Sequence, residues 1–320
     1  MGLMITRRDL LLGAVSVAAF RDDTLALVER LVGSADPLGA EDEEFWAQIQ
    51  EAFTLDRSMT NFNNGGGCPS PRVVQEALTR QLMYANQAPS YFMWQHEEPA
   101  IEGVRTRLAS AFGAKASEIA ITRNASEALE IALFGHDLHA GDEVLTSTLD
   151  YPRMITTIKQ MERRIGVKLV QVRVNPSPKT TGEIVDAFER GITSSTKLML
   201  VSHVCFQNGT INPVRDLCRL GEKHGIPVIV DGAHAFAQFP FMRDELECDM
   251  YGTSLHKWLM APIGTGFLYV REPKVQRGDI VLLHFEGDLK ANLAAVTALY
   301  RKHGLHPAPL GDYLLPPAPR

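Results

Sequence analysis

Lys257 ends the run Thr253-Ser254-Leu255-His256-Lys257, so two hydroxyls and an imidazole precede it, and Trp258-Leu259 follows. A lysine in an apolar, partly desolvated setting loses basicity and becomes a nucleophile that can form a Schiff base. Upstream, Asp231 closes the apolar run Val228-Ile229-Val230 and leads into Gly232-Ala233-His234. A carboxylate there sits at the mouth of a sheet, where open α/β folds bind ligands. A lone lysine is ordinarily a solvated charge, and a lone strand-end aspartate is ordinarily a cap. Together, in this order, they are far more specific. A Schiff-base lysine and a carboxylate for a pyridinium nitrogen are what pyridoxal 5′-phosphate (PLP) requires of a protein.

The phosphate of such a cofactor needs its own cradle. Thr122-Arg123-Asn124-Ala125-Ser126-Glu127 lies between an expected strand and an expected helix. Backbone N–H groups at a helix N-terminus, with a serine hydroxyl beside them, make an anion site. Ser254 and His256 are candidates for further phosphate contacts. Competing α/β chemistries lack their motifs: there is no G-x-G-x-x-G after a strand, no G-x-x-x-x-G-K-[ST] and no G-x-S-x-G. The four cysteines, Cys68, Cys205, Cys218 and Cys248, have neither zinc-site spacing nor a C-x-x-C pair, and read as buried or free thiols.

The elements that must position these residues alternate along the chain. Strands are expected at 119–122, 143–147, 168–174, 198–203, 227–231 and 266–270. Helices are expected at 126–134, from Pro213 to His224, near Pro71 after the glycine-rich turn 65–67, and up to Phe53. Short, continuously apolar strands separated by helices predict an α/β fold with a mostly parallel sheet covered on both faces.

The chain has 320 residues, 45% hydrophobic and 22% charged, with a net charge of −6. That is an ordinary globular composition, long enough for a large core. The mild acidity leaves no basic footprint for nucleic acid, and no apolar run reaches the length of a membrane span. At the N-terminus, Arg7-Arg8 precede an uncharged stretch from Leu10 to Phe20. This pattern resembles a twin-arginine export signal and predicts an extracytoplasmic or periplasmic location; otherwise the protein is cytoplasmic. The expected organisation is a signal and linker at 1–35, a PLP-binding large domain at 36–272, and the remnant of a small domain with a proline-rich tail at 273–320.

Taken together, the motifs resemble the class V aminotransferase family of fold-type I PLP enzymes, in its isopenicillin N epimerase-like and cysteine desulfurase-like branch. The resemblance rests on Asn63-Asn64-Gly65-Gly66, Thr122 to Glu127, Asp150-Tyr151-Pro152, Ser202-His203-Val204, Val230 to His234, Ser254 to Trp258 and Gly264-Thr265-Gly266. It implies that Lys257 holds PLP and moves the substrate α-proton, and that Asp231 pairs with the pyridine nitrogen. It also implies that His234 hydrogen-bonds near the ring hydroxyl, and that Ala125, Ser126, Ser254 and His256 hold the phosphate. Tyr151 falls at the ring-stacking position. The implied protein is a homodimer acting on an amino acid or amine by Schiff-base formation and α-carbon deprotonation, as an aminotransferase, epimerase or lyase.

Two departures stand out. Where desulfurase-like relatives place an asparagine against the cofactor, this chain has Phe206, with Gln207 and Asn208 adjacent. Relatives continue past the Gly-Thr-Gly strand into a small domain that supplies the arginine for the substrate carboxylate. Residues 273–320 show no match to it and no cysteine, which disfavours desulfuration and leaves Arg301 or Arg153 as candidate clamps. The competing expectation is a truncated or degenerate PLP-binding member with little turnover.

Overall fold

The computed structural model describes residues 43–272. The expected export signal, the proline-rich tail and Arg301 lie outside them. Helix α1 (Glu43–Glu51) opens this region. It stops short of the expected end at Phe53, which instead forms an isolated antiparallel bridge with Pro71. Pro71 then caps α2 (Arg72–Ala85). The short α3 (Pro89–Phe92) and a π turn (Met93–Glu97) run on into α4 (Glu98–Phe112), which Gly113 ends in the left-handed conformation.

From there the chain winds through a seven-stranded sheet. Its strands are β1 (Ile119–Thr122), β2 (Glu143–Ser147), β3 (Lys168–Val172), β4 (Thr196–Ser202), β5 (Val228–Asp231), β6 (Met250–Ser254) and β7 (Gly266–Val270), in spatial order β1-β7-β6-β5-β4-β2-β3. The pairs from β3 to β6 are parallel; β7 is antiparallel to both β6 and β1, so it alone runs against the rest. The helices between strands are α5 (Ala125–Phe134), α6 (Pro152–Ile165), α7 (Gly182–Gly191), α8 (Val214–His224) and the short α9 (Arg243–Leu246).

Side chains on a strand alternate between its faces, and the strands here supply two separate cores by that rule. Leu145, Met199, Val201, Val228, Val230, Tyr251, Phe267 and Tyr269 pack on one face with Phe112 of α4, Ile184 of α7 and Leu217 of α8. Val144, Leu198, Leu200, Ile229, Met250 and Leu268 pack on the other with Leu129 of α5 and Met154, Ile158 and Met161 of α6. Because both faces are buried, the strands read as continuous apolar runs, as expected for a parallel sheet. Among the described residues, no helix is long and apolar enough to cross a membrane.

Strand β6 is missing from the sequence-based expectation, which treated Thr253 and Ser254 as the polar lead-in to Lys257. Gly252 interrupts its only apolar pair, so Met250-Tyr251-Gly252-Thr253-Ser254 carries no strand signature of its own. Tertiary pairing on both edges imposes the conformation: Asp231 opposes Gly252, and Ser254 opposes Gly266. That strand carries the chain to Lys257.

Candidate active site

The C-terminal ends of β5 and β6 lie side by side. Asp231 is the last residue of β5, and Lys257 follows the end of β6. Both open onto a cavity of about 890 Å³, and Ala125, Ser126, Tyr151, His234, Ser254 and His256 line it too. The structure therefore brings all eight residues singled out from the sequence to one place.

Asp231 is buried, at 6% exposure. One carboxylate oxygen accepts the Ala233 N–H at 3.0 Å, and the other has no hydrogen-bond donor among the described residues. Burial pushes this carboxyl up to about 6; the Ala233 N–H and the nearby Lys257 partly oppose that, while the Asp150 carboxylate adds to it. An anion held so far from water is stabilised by a cation or donor placed against its open oxygen.

Lys257 Nζ donates to His234 Nε2 at 3.2 Å. Burial lowers the lysine below its ordinary value, partly offset by Asp231. His234 is pushed down to about 4 by burial and by the adjacent lysine, so its ring is neutral at physiological pH. With Nε2 accepting, the ring proton sits on Nδ1. Gly65 fixes the ring from the other side: a β-carbon there would lie 2.8 Å from His234 Cε1. Only glycine permits that approach.

The N-terminus of α5 forms another wall. Asn124 caps it by accepting the Glu127 N–H at 2.9 Å, while Glu127 accepts the Arg123 N–H at 2.6 Å. The Ala125 N–H is spent on Ser254 Oγ at 2.8 Å, so Ser254 anchors the helix start while its own hydroxyl proton stays available. His256 Nδ1 donates to the Thr265 carbonyl at 3.2 Å, leaving Nε2 without a partner among the described residues. Gly266 makes the seating possible: a β-carbon there would sit 2.8 Å from Asn124 backbone atoms.

Asp150 underlies the Tyr151 wall. Its buried carboxylate accepts from Thr146 Oγ1, Ser147 N and Ser147 Oγ on one oxygen, all at 2.7 Å, and from Ser202 N and Oγ on the other, at 2.8 and 2.6 Å. This latch ties the end of β2 to the end of β4 and fixes the residue that follows it. Tyr151 meets Phe206 edge to face at 5.3 Å, so Phe206 buttresses the expected stacking ring.

Sequence reading missed the cavity residues Glu130, Thr156, Thr157 and Ile263. The signal was helical spacing. Glu130 is one turn on from Ser126, and Thr156 and Thr157 are one turn on from Arg153. No cysteine lines the cavity. All four are buried and free, with Cys68 raised to about 11 and Cys248 to about 12 by burial. Among the described residues, no group of three or more His, Cys, Asp or Glu side chains is arranged to hold a metal.

The donor set fits PLP. Asp231 offers an open, buried carboxylate oxygen to a pyridinium, Lys257 offers a desolvated amine, and the α5 N-terminus with Ser126, Ser254 and His256 offers a phosphate cradle.

Comparison with known proteins agrees. The chain is similar to isopenicillin N epimerase of Streptomyces clavuligerus, 30% identical over 231 residues, covering 72% of this chain and 58% of the relative. It is 32% identical to isopenicillin N epimerase of Amycolatopsis lactamdurans, covering 71% and 58%. The chain thus spans somewhat over half the length of these relatives. Among solved structures, it resembles the cystine C-S lyase C-DES in complex with its product cysteine persulfide, with TM-score 0.63, 28% identity, and 66% and 57% of the two chains covered. It also resembles a C-DES mutant with glycine covalently linked to the PLP cofactor, with TM-score 0.64, 25% identity, and 73% and 63% covered. The model of the aminotransferase class-V family, whose members use PLP, matches residues 60–282, and the chain belongs to that family.

Proposed function

We propose that the protein is a PLP-dependent enzyme that removes the α-proton of an amino acid or related amine, in the manner of an epimerase, aminotransferase or lyase. One observation carries the reading: a desolvated Lys257 amine, 3.2 Å from neutral His234, shares a cavity with the open carboxylate oxygen of buried Asp231. The cofactor supplies an electron sink for the carbanion left at the substrate α-carbon. Lys257 would hold it covalently and would be the base for the α-proton at Nζ. His234 keeps that amine in place and, being neutral, does not compete for its own protonation at physiological pH. Asp231 would keep the pyridine nitrogen protonated, since an opposite charge favours the charged form. Tyr151 would supply an aromatic face for the ring. Reconstituted protein should exchange the α-hydrogen of at least one amino acid in deuterated water. No exchange across a broad amino-acid panel, despite a visible cofactor band, would overturn the reading.

We propose further that the protein functions as a homodimer. Helix α2 buries none of its side chains and exposes Leu78, Leu82 and Met83, and a contiguous apolar face of this kind marks an interface. Light scattering should give a mass near twice the 35.4 kDa of one chain, and L82E together with M83E should halve it. A monomeric native protein would refute the assignment.

We also propose export, on Arg7 and Arg8 ahead of the uncharged stretch. Changing both to lysine should retain the protein in the cytoplasm; unchanged fractionation would show that the pair directs nothing.

A further inference from the structure

Two hydroxyls precede Lys257 in the sequence, and strand alternation sends them to opposite faces of β6. Ser254 turns toward α5 and receives the Ala125 N–H. Thr253 turns the other way, beside Tyr251, and is fully buried outside the cavity lining. Its Oγ1 donates to the Gly232 carbonyl at 3.0 Å. That carbonyl belongs to the same peptide unit as the Ala233 N–H, which reaches the Asp231 carboxylate at 3.0 Å. The unit thus accepts from Thr253 on one side and donates to Asp231 on the other.

A donor on the oxygen of a peptide strengthens the hydrogen bond that its nitrogen makes, because each bond polarises the next. The Gly232 carbonyl also closes the turn that follows, accepting the Ala235 and Phe236 N–H groups at 3.0 and 3.3 Å. Tyr251 Oη reaches the same oxygen only at 3.5 Å, so Thr253 is the effective side-chain donor. The Tyr251 ring instead fills the space beside the peptide: a β-carbon on Gly232 would lie 1.9 Å from its Cζ. Behind it, His203 Nδ1 lies 3.4 Å from Tyr251 Oη. Burial pushes His203 down to about 4, so its ring is neutral where Asp231, at about 6, titrates.

We propose that Thr253 is a positioning residue for α-proton removal: through the Gly232–Ala233 peptide it fixes the Asp231 carboxylate, so that the second oxygen stays open to the cavity. The inference rests on the proposed PLP chemistry of this site. A threonine that only filled the core would give way to valine with no effect on Asp231.

The test begins without the cofactor. Full-length, cofactor-free protein with isotope-labelled aspartate carboxyls is titrated by NMR, and the Asp231 resonance is the one missing from D231N. T253V keeps the shape of the side chain and removes only its hydroxyl. The Asp231 midpoint should rise by on the order of half a unit, because the ionised form loses support. Lys257 and Asp150, the other charges acting on Asp231, are unchanged. T253S, which keeps the hydroxyl, should titrate like the native protein. With PLP bound, T253V should slow α-hydrogen exchange at saturating amino acid roughly two- to tenfold and leave KM unchanged, and T253S should restore the rate. T253A carries the same expectations should valine not be accommodated. A midpoint unchanged or lowered in T253V and T253A would overturn the proposal, and so would exchange at the native rate. Absence of a visible cofactor band in the native protein would instead refute the PLP reading, while the cofactor-free titration still reports whether Thr253 acts on the carboxylate.

Discussion

Lys257→Ala protein incubated with PLP and borohydride should carry no fixed adduct, whereas the native chain is modified at Lys257 alone. Substrate α-hydrogen exchange should fall by roughly 10²–10⁴-fold, the usual contribution of a positioned proton-transfer group. The size of the effect follows from the site. Among the described residues, Lys257 is the only lysine lining the cavity, and the nitrogen next to it is His234 Nε2, 3.2 Å away. With His234 at about 4, the imidazole is a far weaker base than an amine. The phosphate cradle and Asp231 do not depend on the lysine, so the variant should still bind PLP non-covalently. A reducible adduct retained in Lys257→Ala would move the anchor elsewhere.

Asp231→Asn separates two effects of one carboxylate. With the cofactor bound, loss of the charge beside the pyridine nitrogen should cut α-hydrogen exchange on the order of a hundredfold or more, while binding persists. Near-normal exchange would remove the electron-sink role. Without the cofactor, the same substitution should stabilise the protein. The folded carboxyl is raised to about 6 from its ordinary 3.8, so its contribution to stability is full below the unfolded value and is lost as the pH rises through the folded one. The cofactor-free native protein therefore carries an unfavourable buried charge at pH 8, at most about 3 kcal/mol by that shift. An asparagine oxygen can still accept the Ala233 N–H. Thermal melts of cofactor-free protein should show the variant more stable at pH 8 and the two equal near pH 4. A variant less stable at pH 8 would mean that the carboxylate is satisfied without the cofactor.

The site was legible because its residues sit at strand ends in short, chemically unusual runs. Asp231 after three apolar residues and Lys257 after two hydroxyls and an imidazole stand out locally, and so does the Asn124-Ala125-Ser126 turn. Strands buried on both faces were legible for the same reason. What escaped depends on neighbours distant in sequence. Strand β6 is a strand because β5 and β7 flank it, not because of its own composition. The Asp150 latch needs Ser202 beside it, 52 residues on, and that follows only from a sheet order that sets β4 next to β2. Helix α6 was not singled out either, although Met154, Ile158 and Met161 mark its buried stripe. Its entry Asp150-Tyr151-Pro152 drew attention as a motif, and the cavity-lining threonines one turn further on did not.

The reversed strand β7 has a consequence for how the protein comes into being. It is the only bridge between β1 and the rest of the sheet, and Ala125 reaches Ser254 across a separation of 129 residues. A ribosome-bound chain that has not yet released residues 266–270 can pair β2 to β6, yet it cannot dock β1. The anion cradle, which follows β1 in the chain and packs against Gly266, is thus completed only after β7 has emerged. Long-range closure of this kind slows folding, and a ligand that binds only the closed form draws the equilibrium toward it. The supply of cofactor should therefore govern how much newly made chain escapes proteolysis. Cells starved of vitamin B6 should accumulate less of this protein at unchanged messenger levels.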